Sequence, residues 1–171
     1  MLTIAQSQVV KNDIIADPVL NAYPNNSDGN TAIALAYDAV AAPDFWVWRT
    51  RVSKREYTNE ASVDGTLFNW TGTGYIGRSA GERDAWRELF NEQGFVNPSM
   101  ANVRQAVQDI FSGATPPAPA NRTHLLTVSR RKTTRIEKLL ATGTGSTASP
   151  ATMGFEGSLT YQDVEVARNL P

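Results

Sequence analysis

The chain has 171 residues, 41% of them hydrophobic and 19% charged, and a net charge of −1 at pH 7. This length fits a single domain, or a domain with appendages, that buries its core without a covalent staple. The absence of Cys excludes disulfides, thiolate metal sites and Cys nucleophiles, and the near-neutral charge does not predict strong binding of the whole chain to nucleic acids or anionic membranes.

Two helices are predicted at the start of the chain. Apolar residues recur at roughly helical spacing over residues 2–17, and Pro18 ends this first helix. A turn cluster at residues 24–29 separates it from a second helix, which is predicted over residues 31–41 and ends before Pro43. No secretory signal pattern precedes the first helix and no apolar run is long enough to span a membrane, so we expect a protein made and used in a cytoplasm.

The middle of the chain combines an aromatic segment with a well-marked helix. Residues 45–52 are aromatic and β-branched, which favours a strand, although a helix remains open. Residues 56–77 are rich in Gly and Thr and favour loops or short strands. Ser79 and Glu82 have the spacing of a capping box, which predicts the start of a helix that Gly94 ends.

Two more helices are predicted beyond this point. The first opens at Asn97 and stops at Gly113, and a stiff proline-rich connection follows over residues 114–120. The second covers residues 122–141 and has a basic face. That face consists of Arg130, Arg131, Lys132, Arg135 and Lys138. It is either a solvated helix face, a surface for an acidic partner or a surface for nucleic-acid phosphate.

The C-terminal segment does not have the composition of a core. Residues 142–157 are small or polar apart from one Met and one Phe, so they form either a frayed tail or an arm that orders only against something else. Residues 155–166 alternate well enough for a strand or hairpin. We therefore expect a mainly α protein, in which residues 1–141 form a small helical bundle with a loop or β insertion at about 44–78. Residues 142–171 are expected to form an extended arm or β-hairpin.

The motifs that could indicate chemistry lack the context that the chemistry needs. Residues 72–77 spell G-x-G-x-x-G, but no buried strand precedes them and no βαβ pattern follows. Residues 143–147 lack the Lys of a phosphate-binding loop, and His124, the only His, is interpreted as a partly exposed residue at a helix start. We therefore expect no enzyme activity, no cofactor and no metal, and a component of an assembly instead.

Three segments resemble small proteins encoded among the structural genes of tailed bacteriophages. They are EKLLATGTGSTASPATMGFEGSLTYQDVEVAR (residues 137–168), NPSMANVRQAVQDIF (97–111) and FWVWRTRVSK (45–54). In size and pattern the chain resembles the head-to-tail adaptor family of long-tailed phages. The resemblance implies a small helical bundle with an extended C-terminal segment, no catalytic residues, and a dodecameric ring in the neck of the virion.

The resemblance also implies the partners. The ring would contact the portal protein and a downstream neck or tail protein, would assemble in the cytoplasm of the host bacterium, and would let double-stranded DNA pass without sequence-specific contacts; no membrane is involved. Two alternatives stay open. One is another virion component, such as a tail-completion, tail-terminator or capsid-associated protein. The other is a small single-stranded nucleic-acid-binding protein that uses its tryptophans and the basic helix.

The resemblance and the composition together suggest a role for the arm. Small polar residues lose little side-chain entropy on ordering, and their backbone can add to the edge of a neighbour's sheet. The expected partner-binding anchors are Met153, Phe155, Leu159 and Tyr161. The basic helix is then expected to face the acidic rim of the portal, with the DNA channel as the alternative.

Overall fold

The computed structural model describes residues 1–90, 93–113 and 118–171. The predicted fold class, mainly α with a small β component, is confirmed: these ranges contain nine helices and four strands of two or three residues. In chain order the elements are α1 (Ile4–Ala16), α2 (Pro18–Asn21), α3 (Ser27–Asp38), β1 (Trp46–Trp48), β2 (Val52–Ser53), α4 (Lys54–Asn59), α5 (Ala80–Glu88), β3 (Phe95–Val96), α6 (Ala101–Ile110), α7 (Ala118–Val128), β4 (Arg130–Lys132), α8 (Arg135–Leu139) and α9 (Tyr161–Arg168).

The chain folds into two compact units. Unit 1 consists of Met1–Val47 and Lys132–Pro171, and unit 2 consists of Trp48–Arg131. The chain passes from one unit to the other within β1 and again between Arg131 and Lys132 in β4. This division differs from the predicted one, because residues 142–171 belong to the same unit as the first helices.

Unit 1 is built around α1, α3 and α9, and α9 packs against both other helices. Each of the three begins with a side-chain cap: Thr3 for α1, Asn26 for α3 and Thr160 for α9. Such caps satisfy backbone N–H groups that have no partner within the helix. The largest apolar side chains of the core are Val10, Ile14, Leu20, Ile33, Tyr37, Ile136, Leu159 and Val164.

Unit 2 has an aromatic core centred on Trp86 of α5. The Trp86 ring stacks on Phe68 with 5.7 Å between centroids and meets Phe90 edge-on at 4.8 Å. Tyr57 and Phe111 close the cluster at 6.1 and 5.4 Å from Trp86. Strands β2 and β3 pair antiparallel beside this core, with Val52 opposite Val96 and Ser53 opposite Phe95.

The predicted helices of the first two-thirds are present with shifted ends. The predicted capping box of Ser79 and Glu82 is confirmed at the start of α5. The helix predicted over residues 31–41 begins earlier, at Ser27, because Asn26 caps it through the backbone N–H of Gly29. The aromatic segment 45–52 is not one strand, since β1 and β2 are separated by residues 49–51.

The prediction of a single helix over residues 122–141 is wrong. The segment is divided into α7, β4 and α8. Thr133 donates its backbone N–H to Phe45, and Thr134 forms a new capping box with Glu137 that starts α8. The chain therefore leaves and re-enters helical geometry inside the predicted span. Of the predicted proline-rich connection, residues 114–117 lie outside the described ranges, and Ala118 already begins α7.

The strand or hairpin predicted over residues 155–166 is also wrong. Tyr161–Arg168 is helix α9, which begins with a capping box between Thr160 and Asp163. Before it, Thr142 and Thr152 exchange two backbone hydrogen bonds of 2.9 Å, so the preceding segment is extended but bonded within unit 1.

The small residues of the segment before α9 are explained by close packing. A side chain at Gly145 would lie 2.2 Å from the ring of Phe45, and one at Gly154 would lie 2.4 Å from the carbonyl oxygen of Leu140. Gly145 also has a positive φ of 66°, which disfavours other residues. The composition that suggested an unordered arm therefore serves contact with the segment's own unit.

Candidate protein-interaction surface

The four predicted anchors of the arm lie in different environments. Leu159 is only 5% exposed and belongs to the core of unit 1, so it does not reach a partner in this conformation. Phe155 is partly buried against the same core, and Met153 is also partly buried. Tyr161, on the first turn of α9, is exposed. Tyr161 is therefore the only one of the four predicted anchors whose side chain is exposed.

The end of the chain is tied to its own unit by several hydrogen bonds. Arg168 donates to the backbone oxygens of Tyr23 and Pro24 at 2.9 and 3.0 Å, and to the side chain of Asn30 at 3.0 Å. Lys11 of α1 donates to the carbonyl oxygen of Leu170 at 2.5 Å. The expectation of an arm that orders only on a partner is therefore corrected: its last residues are ordered on α1 and α3.

The predicted basic face does not exist as one helix surface. Arg130, Arg131 and Lys132 lie in β4, whereas Arg135 and Lys138 lie in α8. Lys132 forms an ion pair of 2.7 Å with Asp44.

Arg135 is likewise occupied within unit 1. Its guanidinium bridges Asp13 at 2.8 Å and Asp17 at 2.9 Å. The hydrogen bond from Arg135 lowers the pKa of Asp17 below its ordinary value. Burial, followed by the neighbouring Asp13, raises the pKa of Tyr37, whose hydroxyl donates to Asp13 at 2.8 Å. Arg135 is thus bonded to two carboxylates of its own unit.

His124 is a structural residue of unit 2. It is fully buried in the middle of α7 and not, as predicted, partly exposed at a helix start. Its Nε2 lies 2.8 Å from the carbonyl oxygen of Tyr57, and its Nδ1 lies 3.2 Å from the hydroxyl of Thr66. Both ring nitrogens therefore have a polar neighbour that connects α7 to the segment around α4.

The G-x-G-x-x-G segment at residues 72–77 forms consecutive turns. The carbonyl oxygen of Thr71 accepts hydrogen bonds from Gly74 at 2.8 Å and from Ile76 at 3.2 Å. A side chain at Gly77 would lie 1.9 Å from the carbonyl oxygen of Gly72. These glycines therefore permit a compact turn, and the helix that follows starts at its own cap, Ser79.

Unit 1 has an apolar groove between the start of α1 and α9. It encloses 580 Å³. Met1, Leu2 and Ile4 line it from the N-terminal side. Thr160, Gln162 and Val166 line it from the side of α9. We call it the α1–α9 groove.

Two aliphatic side chains of the groove are open to solvent. Ile4 is 79% exposed and Val166 is 56% exposed. Single exposed apolar residues are ordinary, but several that share one concave surface indicate a binding site. Covering an Ile or Val side chain fully contributes roughly 1.5–3 kcal/mol, so a partner that fills the groove gains appreciable free energy.

Asp163 lines the groove and connects its two sides. Its carboxylate accepts hydrogen bonds from the backbone of Leu2 at 3.3 Å and of Thr160 at 3.0 Å, and from the Thr160 hydroxyl at 2.7 Å. Burial opposes ionisation of Asp163, but these hydrogen bonds, led by that from the Thr160 side chain, keep its pKa below its ordinary value. One charged side chain thus caps α9 and attaches the start of the chain to it.

A second exposed apolar region of unit 1 lies on α3 and just after it. Leu35 and Val40 are both exposed. Val40 borders a cavity of 460 Å³ whose other apolar wall includes Ala36 and Leu139. Unit 1 therefore has a second cavity with an exposed apolar side chain at its border, in addition to the α1–α9 groove.

No metal or membrane feature accompanies these surfaces in the described ranges. There, no group of three or more His, Asp or Glu side chains is arranged to hold a metal ion. No helix among the described residues combines the length and the apolar character needed to cross a bilayer.

Comparisons with protein-family models, with curated proteins and with solved structures gave no match to this chain. No function is therefore transferred from a relative. The exposed side chains of the α1–α9 groove are the observations from which a function is inferred.

Proposed function

We propose that this chain is a structural virion protein of a tailed bacteriophage, the head-to-tail adaptor, which forms a ring between portal and tail and continues the DNA channel. The observation that carries the proposal is the α1–α9 groove, whose exposed Ile4 and Val166 favour a protein partner. The resemblance of residues 137–168 to phage structural proteins supports it from the sequence, because this segment supplies one wall of the groove.

The occupant of the groove is a second copy of this chain. In a ring of identical subunits each contact is heterologous, so every copy must present two different surfaces to its two neighbours. Unit 1 offers the groove and the cavity that Val40 borders. The groove receives an apolar element of one neighbour, and the surface beside Val40 contacts the other.

The order of the C-terminal segment in a single copy changes how assembly works. Because α9 is already packed on α1 and α3, subunits join largely as preformed bodies and lose little backbone entropy on joining. The affinity of each subunit–subunit contact stays modest. Closure of the ring stabilises the assembly because every subunit is then held by two contacts at once. The portal and the downstream tail protein bind the ring, not the single chain.

The groove makes a direct prediction for assembly. Ile4→Asp and Val166→Asp each place a carboxylate in the interface and are expected to weaken subunit association by at least tenfold, because a buried unpaired charge is costly. Native mass spectrometry and sedimentation of the full chain, alone and with portal, measure the oligomer. Incorporation of each variant is measured by adding it to capsids that lack the wild-type protein.

Val19→Asp is the matched control for these two variants. Val19 is an exposed apolar residue of unit 1, on α2, that does not line the groove. We expect it to leave association unchanged. Equal association by Ile4→Asp, Val166→Asp and wild type would contradict the proposed interface.

A further inference from the structure

Three neighbouring cations of unit 2 form no ion pair with a carboxylate in the described ranges. They are Arg51, Lys54 and Arg55, which we call the basic patch. Within the described ranges none of these side chains forms a salt bridge. Arg51 and Arg55 are exposed.

The other arginines of unit 2 contrast with the basic patch. Side-chain contacts to carboxylates or backbone carbonyl oxygens are made by Arg49, Arg78, Arg83, Arg87, Arg104 and Arg122. Arg49 is bonded to Glu56, the nearest acidic residue to the patch in sequence. The charge of the patch is therefore not neutralised by the carboxylate that lies closest along the chain.

Charge is divided unevenly between the units. Unit 1 contains five Lys and Arg against nine Asp and Glu, a net charge of −4. Unit 2 contains eleven Lys and Arg against eight Asp and Glu, a net charge of +3. The near-neutral total of −1 conceals a basic unit that attracts anions.

Local helix stability does not account for the basic patch. Lys54 and Arg55 are the first two residues of α4, after the cap Ser53. The helix dipole favours acidic side chains there and disfavours basic ones. The dipole of α4 therefore does not explain two cations at these positions.

The patch is partly preorganised by aromatic rings. The guanidinium of Arg51 lies 3.7 Å from the centroid of Phe95, and the ammonium of Lys54 lies 6.0 Å from that of Phe90. The register of β2 and β3 places Arg51 on the same face as Phe95. Stacking orients a guanidinium and leaves its N–H edge free to form bidentate hydrogen bonds with an anion such as phosphate.

We propose that the basic patch contacts the phosphate backbone of duplex DNA. The inference deepens the proposed function and rests on it for the identity of the polyanion, which is the DNA that passes through the ring. Three cations per copy, repeated around a ring, match a repeating phosphate backbone without reading bases. A small number of contacts per copy also leaves the duplex able to slide.

The test is binding of a labelled duplex of about 20 base pairs by the purified full chain, from about 20 to about 200 mM salt. For one copy of the chain, three phosphate contacts predict a slope of log K against log salt of about −2.7, and each further copy on the same duplex steepens the slope by the same amount. The double variant Arg51→Gln/Arg55→Gln should flatten this slope by about 1.8 and weaken binding on the order of tenfold or more at the lowest salt.

Arg83→Gln/Arg87→Gln is the matched control, because it removes the same charge from α5 of the same unit. It should keep the wild-type slope, with circular dichroism checking the fold of both doubles. The inference is overturned if both doubles lose binding equally, if the patch double binds like wild type, or if wild type does not bind. It is also overturned if a single strand binds more than tenfold tighter, or if polyglutamate competes as well as duplex at equal charge.

This outcome is separable from that of the proposed function. Ile4→Asp should still bind DNA even though it associates poorly, with the single-copy slope of about −2.7. DNA binding without ring formation would contradict the proposed function alone. A ring whose subunits do not bind duplex would contradict the basic-patch inference alone.

Discussion

We expect Val164→Asp to unfold unit 1, whereas Val166→Asp should leave its stability nearly unchanged. Val164 is 0% exposed in the core that α9 shares with α1 and α3, while Val166, two residues later on the same helix, faces the groove. An unpaired carboxylate in the core costs on the order of 4 kcal/mol or more, a large part of the 5–15 kcal/mol that typically stabilises a domain.

Urea denaturation followed by far-ultraviolet circular dichroism measures this difference. Val166→Asp is expected to change the free energy of unfolding by no more than about 1 kcal/mol, since its side chain stays in water. If Val164→Asp cannot be purified, Val164→Ala should lose roughly 1–3 kcal/mol. Equal stability of the Val164 and Val166 variants would show that α9 is not part of the core. The C-terminal residues would then form a detached arm, as the sequence predicted.

Trp86→Ala is expected to have the largest effect in unit 2. Trp86 is fully buried and touches the rings of Phe68, Phe90 and Phe111. Truncating it removes the centre of this cluster and leaves a cavity, which costs about 3–5 kcal/mol in comparable cores. The Nε1 of Trp86 has no hydrogen-bond partner in the described structure, so the loss comes from packing.

Trp70→Ala is the control for the same unit. Trp70 is 43% exposed and meets Phe68 and Tyr75 edge-on. Its truncation should cost about 1–2 kcal/mol, less than that of Trp86→Ala, because much of the ring is already in water. Urea denaturation measures both variants, and a loss for Trp70→Ala as large as that for Trp86→Ala would contradict an aromatic core centred on α5.

A helix start was predicted most accurately where the prediction rested on a capping box. Ser79 and Glu82 predicted the start of α5, and the structure has it there. The same spacing occurs at Thr134 with Glu137 and at Thr160 with Asp163, where it starts α8 and α9. Those two starts were missed because a run of charges and a run of alternating residues favoured other interpretations.

The C-terminal segment was misjudged for a different physical reason. Small residues bury little apolar area, so composition alone favours an unordered segment. Close approach of backbone to a ring, as at Gly145 and Phe45, requires the same small residues. The two explanations differ only in whether residues distant in sequence pack against the segment. The sequence of one chain does not contain that information.

The functional surfaces depended on pairing that sequence does not reveal. Arg135 looked available in the predicted basic helix, yet it bonds Asp13 and Asp17 more than one hundred residues earlier. Ile4 looked like one more apolar residue of α1, but Val10 and Ile14 already form the buried stripe. The surplus of apolar residues on that helix was the signal that could have indicated the groove.

The basic patch had its own signal in the run of cations between Arg49 and Arg55. The even charge balance of the whole chain hid it, because the excess of acidic residues lies in unit 1. Net charge per folded unit was the informative quantity, and the unit boundaries come from the fold.

The most direct test of the adaptor proposal is an electron cryomicroscopy map of the phage particle that carries this chain. We expect unit 1 and unit 2 to fit density in a closed ring directly below the portal, with the α1–α9 groove of each copy occupied by its neighbour. Density for the chain elsewhere, in the capsid shell or at the tail tip, or a particle that lacks the chain, would contradict the proposal.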